Sequence, residues 1–168
     1  MKQIRIEKIT LNIGAGKDQA RLEKSIKLLK NITGIEAMKT FTSKRIPGWG
    51  LRPGLAIGCK LTIRKDRAKE ILKKLLESRE STLNPKQFDE NGSLAFGIPE
   101  YIDIPGINYD PEIGIMGLEV CVTLERPGFR IKRRKVQKKK LSSRHKITKN
   151  EAMEFMKTKF NVKVGEEE

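Results

Sequence analysis

Four places in this chain hold residue types that could do chemistry. Asp103, Asp110 and Glu112 fall close together in an irregular stretch, where acids can hydrolyse a bond or hold a cation. His145 is the only histidine. Gly14-Ala15-Gly16 precedes a helical pattern, as in loops that cradle phosphates. Residues 126–149 hold twelve Lys/Arg and no acid. The first three weaken when their neighbours are read. No histidine accompanies the acids, and their spacing matches no calcium loop. His145 lies among Arg144, Lys146 and Ser142-Ser143, with no carboxylate in its segment to orient it. The third glycine of a dinucleotide fingerprint would fall at Gln19. Nothing assembles a nucleophile, a base and an oxyanion site. The expectation is no enzyme, no catalytic residue, no metal site and no cofactor. The acids read as turn formers and internal partners of basic side chains.

The fourth place survives. The chain has 168 residues and a formal net charge of +15. Residues 1–79 carry 20 Lys/Arg against 7 Asp/Glu, and residues 80–125 carry Lys86 against nine acids. The stretch that follows holds a third of all the basic residues. Lys132-Arg133-Arg134-Lys135 and Lys138-Lys139-Lys140 repel one another unless a polyanion relieves them. Arg126, Arg130, Lys132, Arg133, Arg134, Lys135, Lys138, Lys139, Lys140, Arg144 and Lys146 are therefore expected to meet nucleic-acid backbone. A second candidate is the loop at 43–56, which holds Lys44, Arg45, Arg52 and the only tryptophan, Trp49. That indole either stacks on a base or folds back under the loop.

Other classes fall away. No run of 18 apolar residues exists, so no membrane span is expected. The first residues lack the apolar centre of a signal peptide, which suggests an intracellular chain. Cys59 and Cys121 each sit in an apolar run and read as buried thiols.

These residues need elements to position them. Ile4 and Ile6, then Ile9, Leu11 and Ile13, alternate in a first strand over about 4–13; a bulge or twist near Glu7-Lys8 would put all five on one side, with Thr10 and Asn12 pointing the opposite way. Asp18 caps a helix with a stripe of Leu22, Ile26, Leu29 and Ile32, closed by Gly34. Strands follow over about 35–42 and 56–64. In the latter, Ile57, Cys59, Leu61 and Ile63 oppose Lys60, Thr62 and Arg64. Asp66 is expected to cap a second helix reaching about Ser81, with Ile71, Leu72, Leu75 and Leu76 buried. Strands at 94–98 and 118–125 follow, and Thr148 with Glu151 forms a capping box for a last helix.

The order β-α-β-β-α-β-β implies an α+β fold. The expectation is a mostly antiparallel five-stranded sheet with helices on one face, plus a basic segment and a C-terminal helix. A single domain is expected over 1–168, with core 1–125, basic segment 126–149 and helix and tail 150–168. No homo-oligomer is expected. The open face would carry Thr10, Asn12, Lys60, Thr62 and Arg64, groups suited to phosphates and 2′-hydroxyls.

Several stretches resemble one known family. Arg5-Ile6-Glu7-Lys8-Ile9-Thr10-Leu11-Asn12-Ile13-Gly14, Ile32-Thr33-Gly34, Arg52-Pro53-Gly54 and Phe96-Gly97-Ile98-Pro99-Glu100 are similar to the universal L-five family of large-subunit ribosomal proteins. So is Ile107-Asn108-Tyr109-Asp110-Pro111-Glu112-Ile113-Gly114-Ile115, the most specific of them. The ending from Arg126-Pro127-Gly128-Phe129 to His145-Lys146-Ile147 resembles the archaeal form. The resemblance implies a structural constituent of the large subunit, cytoplasmic and ribosome-bound. It implies that the protein binds 5S rRNA and helps attach it in the central protuberance beside large-subunit rRNA. It further implies contact with P-site tRNA and a bridge to a small-subunit ribosomal protein. By motif, Asn12, Lys60 and Thr62 match 5S rRNA contacts, and the loop of Lys44, Arg45, Trp49 and Arg52 matches one near tRNA and rRNA.

Overall fold

In the computed structural model, residues 1–165 are described. They form two compact units that interleave along the chain. One comprises residues 1–9, 64–96 and 121 onward; the other comprises 10–63 and 97–120. Strands β1 (Arg5–Gly14), β2 (Met38–Phe41), β3 (Ala56–Ile63), β5 (Leu94–Ile98) and β6 (Leu118–Glu125) make one antiparallel sheet in the order β2-β3-β1-β6-β5. Helices α1 (Gln19–Thr33), α2 (Lys65–Glu77) and α3 (Lys149–Phe160) complete the α+β architecture that the sequence predicts.

Alternation decides which side of each strand is covered. Ile9, Leu11 and Ile13 on β1 are buried, as are Cys59, Leu61 and Ile63 on β3. Leu94, Phe96 and Ile98 on β5 are buried too, with Leu118, Val120, Val122 and Leu124 on β6. Ile4 and Ile6, on the other parity of β1, and Ile57 are only half-buried. The same rule corrects the reading of Cys121. It shares the outward parity of Glu119 and is exposed, whereas Cys59 is buried. Burial pushes the Cys59 thiol up to about 11, because the thiolate loses its water.

β2 is short and lies antiparallel to β3, with Met38 opposite Lys60 and Thr40 opposite Gly58. A side chain at Gly58 would put its Cβ 2.6 Å from the Ile13 carbonyl oxygen, so glycine is what allows the backbones of β3 and β1 to approach.

Asp18 caps α1 as expected, accepting from the Ala20 and Arg21 N–H groups, and Gly34 closes it at φ 70°. The covered face is rotated from the predicted stripe. Leu28 and the polar Ser25 and Thr33 are buried with Leu22 and Leu29, while Ile26 and Ile32 are half-buried. The two buried hydroxyls turn inward to the helix itself, Ser25 donating to Arg21 O and Thr33 to Leu29 O, both at 2.7 Å.

Two expectations for α2 are corrected. Its N-cap position is Arg64, which makes no side-chain cap bond, and Asp66 lies in the first turn instead. There Asp66 pairs with Lys69 at 2.8 Å, and that hydrogen bond lowers its pKa. The helix ends at Glu77 rather than Ser81, because Glu80 and Ser81 both take left-handed backbone (φ 51° and 54°). The Ser81 N–H folds back to Leu76 O at 2.9 Å. A parallel pair of two-residue strands, β4 (Thr82–Leu83) and β7 (Lys163–Val164), was not legible, since two residues carry no period.

α3 starts at the capping box the sequence shows, Thr148 accepting from Glu151 N–H and Glu151 from Thr148 N–H. That backbone hydrogen bond, helped by the Arg126 guanidinium, lowers the Glu151 pKa.

Candidate nucleic-acid interface

The open side of the sheet in the unit holding residues 10–63 carries the polar residues selected by parity. β1 and β3 are neighbours in the sheet. Lys60 and Thr62 on β3 are exposed, and Thr10 and Asn12 on β1 are half-exposed. The Asn12 Nδ2 donates to Glu119 Oε2 on β6 at 3.2 Å. That bond aims the amide and leaves Oδ1 as an acceptor for a ribose hydroxyl. Glu119 itself escapes sequence reasoning, since an acid is not expected among groups selected to suit phosphate. Arg64 belongs to the other unit, where it is exposed at the head of α2.

The loop after β2 is ordered rather than extended. Ile46 and Leu51 pair as an isolated antiparallel bridge, and Pro47–Trp49 form a 3-10 turn at the tip. Thr42 ties the base, its Oγ1 donating to Lys44 O at 2.9 Å. Leu51 is buried, while Lys44, Arg45 and Arg52 are exposed. The two readings of Trp49 are separated here: the indole is 70% exposed and does not fold under the loop. An indole held at a turn tip among three cations can stack on a base with little further ordering.

In the other unit, the basic segment is folded rather than an extended arm. Phe129 and Ile147 are buried and anchor its two ends. Arg126 is 6% exposed; its guanidinium donates to Glu151 at 2.7 Å and to Lys146 O at 3.2 Å. His145 is half-buried rather than on the surface, with Nε2 2.8 Å from Pro127 O and its ring edge-on to Phe129. Arg133 forks onto Glu7 and Glu125, so it too is engaged within the protein. Arg134 is half-buried and donates to Gln137 O at 2.8 Å. Arg130, Lys132, Lys135, Lys138, Lys139, Lys140, Arg144 and Lys146 are exposed. Sequence reasoning did not single out Glu7 or Glu125. Glu7 stands 126 residues from Arg133 and leaves no local signal.

Of the three irregular acids, Asp110 and Glu112 pair internally, while Asp103 is exposed. Lys27 pairs with Asp110 at 3.1 Å and with Glu112, which raises the Lys27 pKa and lowers that of Asp110. Asp110 O lies 3.5 Å from the Tyr101 hydroxyl, which also accepts from the Asp110 N–H at 3.0 Å.

An α+β sheet with a polar open face, a cation-bearing loop and a folded basic segment fits a class, the α+β proteins whose surfaces suit polyanionic backbone. The comparisons narrow that class. The family model described as "Ribosomal protein L5" matches residues 1–52, and the model for the C-terminus of the same ribosomal family matches residues 56–155. The large ribosomal subunit protein uL5 of Nanoarchaeum equitans is 46% identical, covering 98% of this chain and 97% of its own. The uL5 proteins of Sulfurisphaera tokodaii (44% identical, 99% and 94% covered) and Methanobrevibacter smithii (42%, 96% and 95%) are similar over comparable lengths. The chain belongs to the ribosomal protein L5 family, as the motifs implied.

Proposed function

We infer that this chain binds 5S rRNA through the open face of β1 and β3 and helps attach it to large-subunit rRNA in the central protuberance. Membership of the family makes it a structural constituent of the large ribosomal subunit rather than an enzyme. The observation that carries the finer reading is the set Thr10, Asn12, Lys60 and Thr62, uncovered on neighbouring strands. A folded RNA offers phosphates and 2′-hydroxyls along a shallow groove, and a flat face of hydroxyls, an amide and an ammonium suits them without reading sequence. The exposed cations of 130–146 add backbone contacts. The loop with Trp49 at its tip is the candidate contact with P-site tRNA. A bridge to a small-subunit protein completes the reading and rests on the family resemblance.

The test is a gel shift with 5S rRNA. Replacing Asn12 and Thr62 together by Ala is expected to weaken binding while the melting temperature holds. Unchanged affinity in that variant would refute the assignment of the face.

A further inference from the structure

Two acids of the unit that carries the basic segment are placed where an RNA-binding surface has no obvious need of them. The side chains of Glu7 on β1 and Glu125 at the end of β6 are only 9% and 8% exposed. Both accept from one guanidinium: Arg133 Nη1 serves Glu7, and Nη2 serves Glu125. Arg5 adds a second cation at Glu125 Oε1, 2.8 Å away. Arginine suits this position because its planar fork offers each carboxylate its own nitrogen in a fixed geometry, where a lysine has a single nitrogen on a flexible stem.

Arg133 stands at the base of a small closed loop. The N–H groups of Arg133 and Arg134 return to Arg130 O at 2.9 and 2.8 Å, and Lys139 N–H reaches Ile131 O at 3.3 Å. The loop carries Arg130, Lys132, Lys135, Lys138, Lys139 and Lys140 into solvent. These like charges repel, and no acid lies within the segment to oppose them. The fork from Arg133 to the two sheet carboxylates supplies that opposition.

We propose that Glu7 and Glu125 are positioning residues for RNA binding: through Arg133 they hold the cationic loop in one conformation before RNA arrives. The proposal rests on the reading of the protein as an RNA binder and says how one part of that surface is made. A loop already ordered loses less freedom on meeting phosphate, so it binds more tightly with the same contacts. The consequence runs against simple charge counting. Neutralising both acids raises the formal net charge from +15 to +17, yet it weakens binding to RNA.

The experiment measures filter binding of 5S rRNA over a range of salt for Glu7→Gln, Arg133→Gln, their double variant and Arg133→Lys. Hydrogen exchange of the loop amides is followed in parallel. Glu7→Gln and Arg133→Gln are each expected to raise Kd roughly 3- to 10-fold, the scale of ordering a few long side chains. The slope of log K against log salt should stay as in the wild type, and the double variant should bind no worse than either single one. Amides at 130–140 should exchange faster while those of α1 do not change. Arg133→Lys keeps the charge and loses the fork, so it should weaken binding too; it carries the test if Glu7→Gln fails to fold. Tighter or unchanged binding by Glu7→Gln would overturn the proposal. So would full affinity in Arg133→Lys, or a slope shallower by about one in Arg133→Gln, the mark of a lost phosphate contact. The triple variant Lys138→Ala, Lys139→Ala and Lys140→Ala leaves the fork intact. If it too binds normally, RNA recognition by the segment fails instead.

Discussion

At the scale of single residues, exposure sorts side chains that the sequence presents as equals. Two cysteines in apolar runs look alike, yet strand parity buries one and exposes the other. Cys59 has no water to stabilise a thiolate, while Cys121 faces out from β6. An alkylating reagent at neutral pH is therefore expected to label Cys121 in the native protein and to reach Cys59 only after denaturation, as peptide mass spectrometry would show. Native labelling of both would contradict the burial of β3. Basic residues divide the same way. Arg126 and Arg133 belong to the same charge run as Lys138–Lys140, but they are held by Glu151, Glu7 and Glu125. Composition marks the run as polyanion-binding; only the fold tells which members face inward.

At the scale of elements, the strands were the most legible feature, because a period of two over five to ten residues leaves little freedom. The capping box of α3 and both caps of α1 were legible from residue type alone. The end of α2 was not, since left-handed backbone at Glu80 and Ser81 has no sequence signature in residues of that kind. The rotated face of α1 was missed because Ser25 and Thr33 satisfy their hydroxyls within the helix and so can be buried. Within the candidate site, parity alone gave Thr10, Asn12, Lys60 and Thr62 as outward. The bond from Asn12 to Glu119 needed the register of β1 against β6. Close approach of β3 to β1 yields a prediction at this scale. Gly58→Ala places a methyl against the Ile13 carbonyl, a backbone atom that cannot swing away. A loss of about 1–3 kcal/mol in denaturant unfolding is expected. A neutral result would mean the two strands part at little cost.

At the scale of the whole molecule, the count of 36 basic residues overstates the cations that RNA can meet. Arg5, Lys27, Lys69, Arg126 and Arg133 are all neutralised by acids of the same chain. With about six phosphates met by the free cations, log K for 5S rRNA should fall with log salt at a slope of roughly −4 to −5. A slope near zero would remove electrostatics from the account. The interleaving of the two units has a separate consequence, for synthesis. Residues 1–9 are made before residues 10–120, but the unit they complete draws on segments from 121 onward, made after both. Arg5 and Glu7 on β1 meet Glu125 and Arg133 only after most of the chain has been made. A nascent chain stalled after residue 120 already holds every residue of the unit built from 10–63 and 97–120, while Arg5 and Glu7 still lack the partners they take in the finished fold.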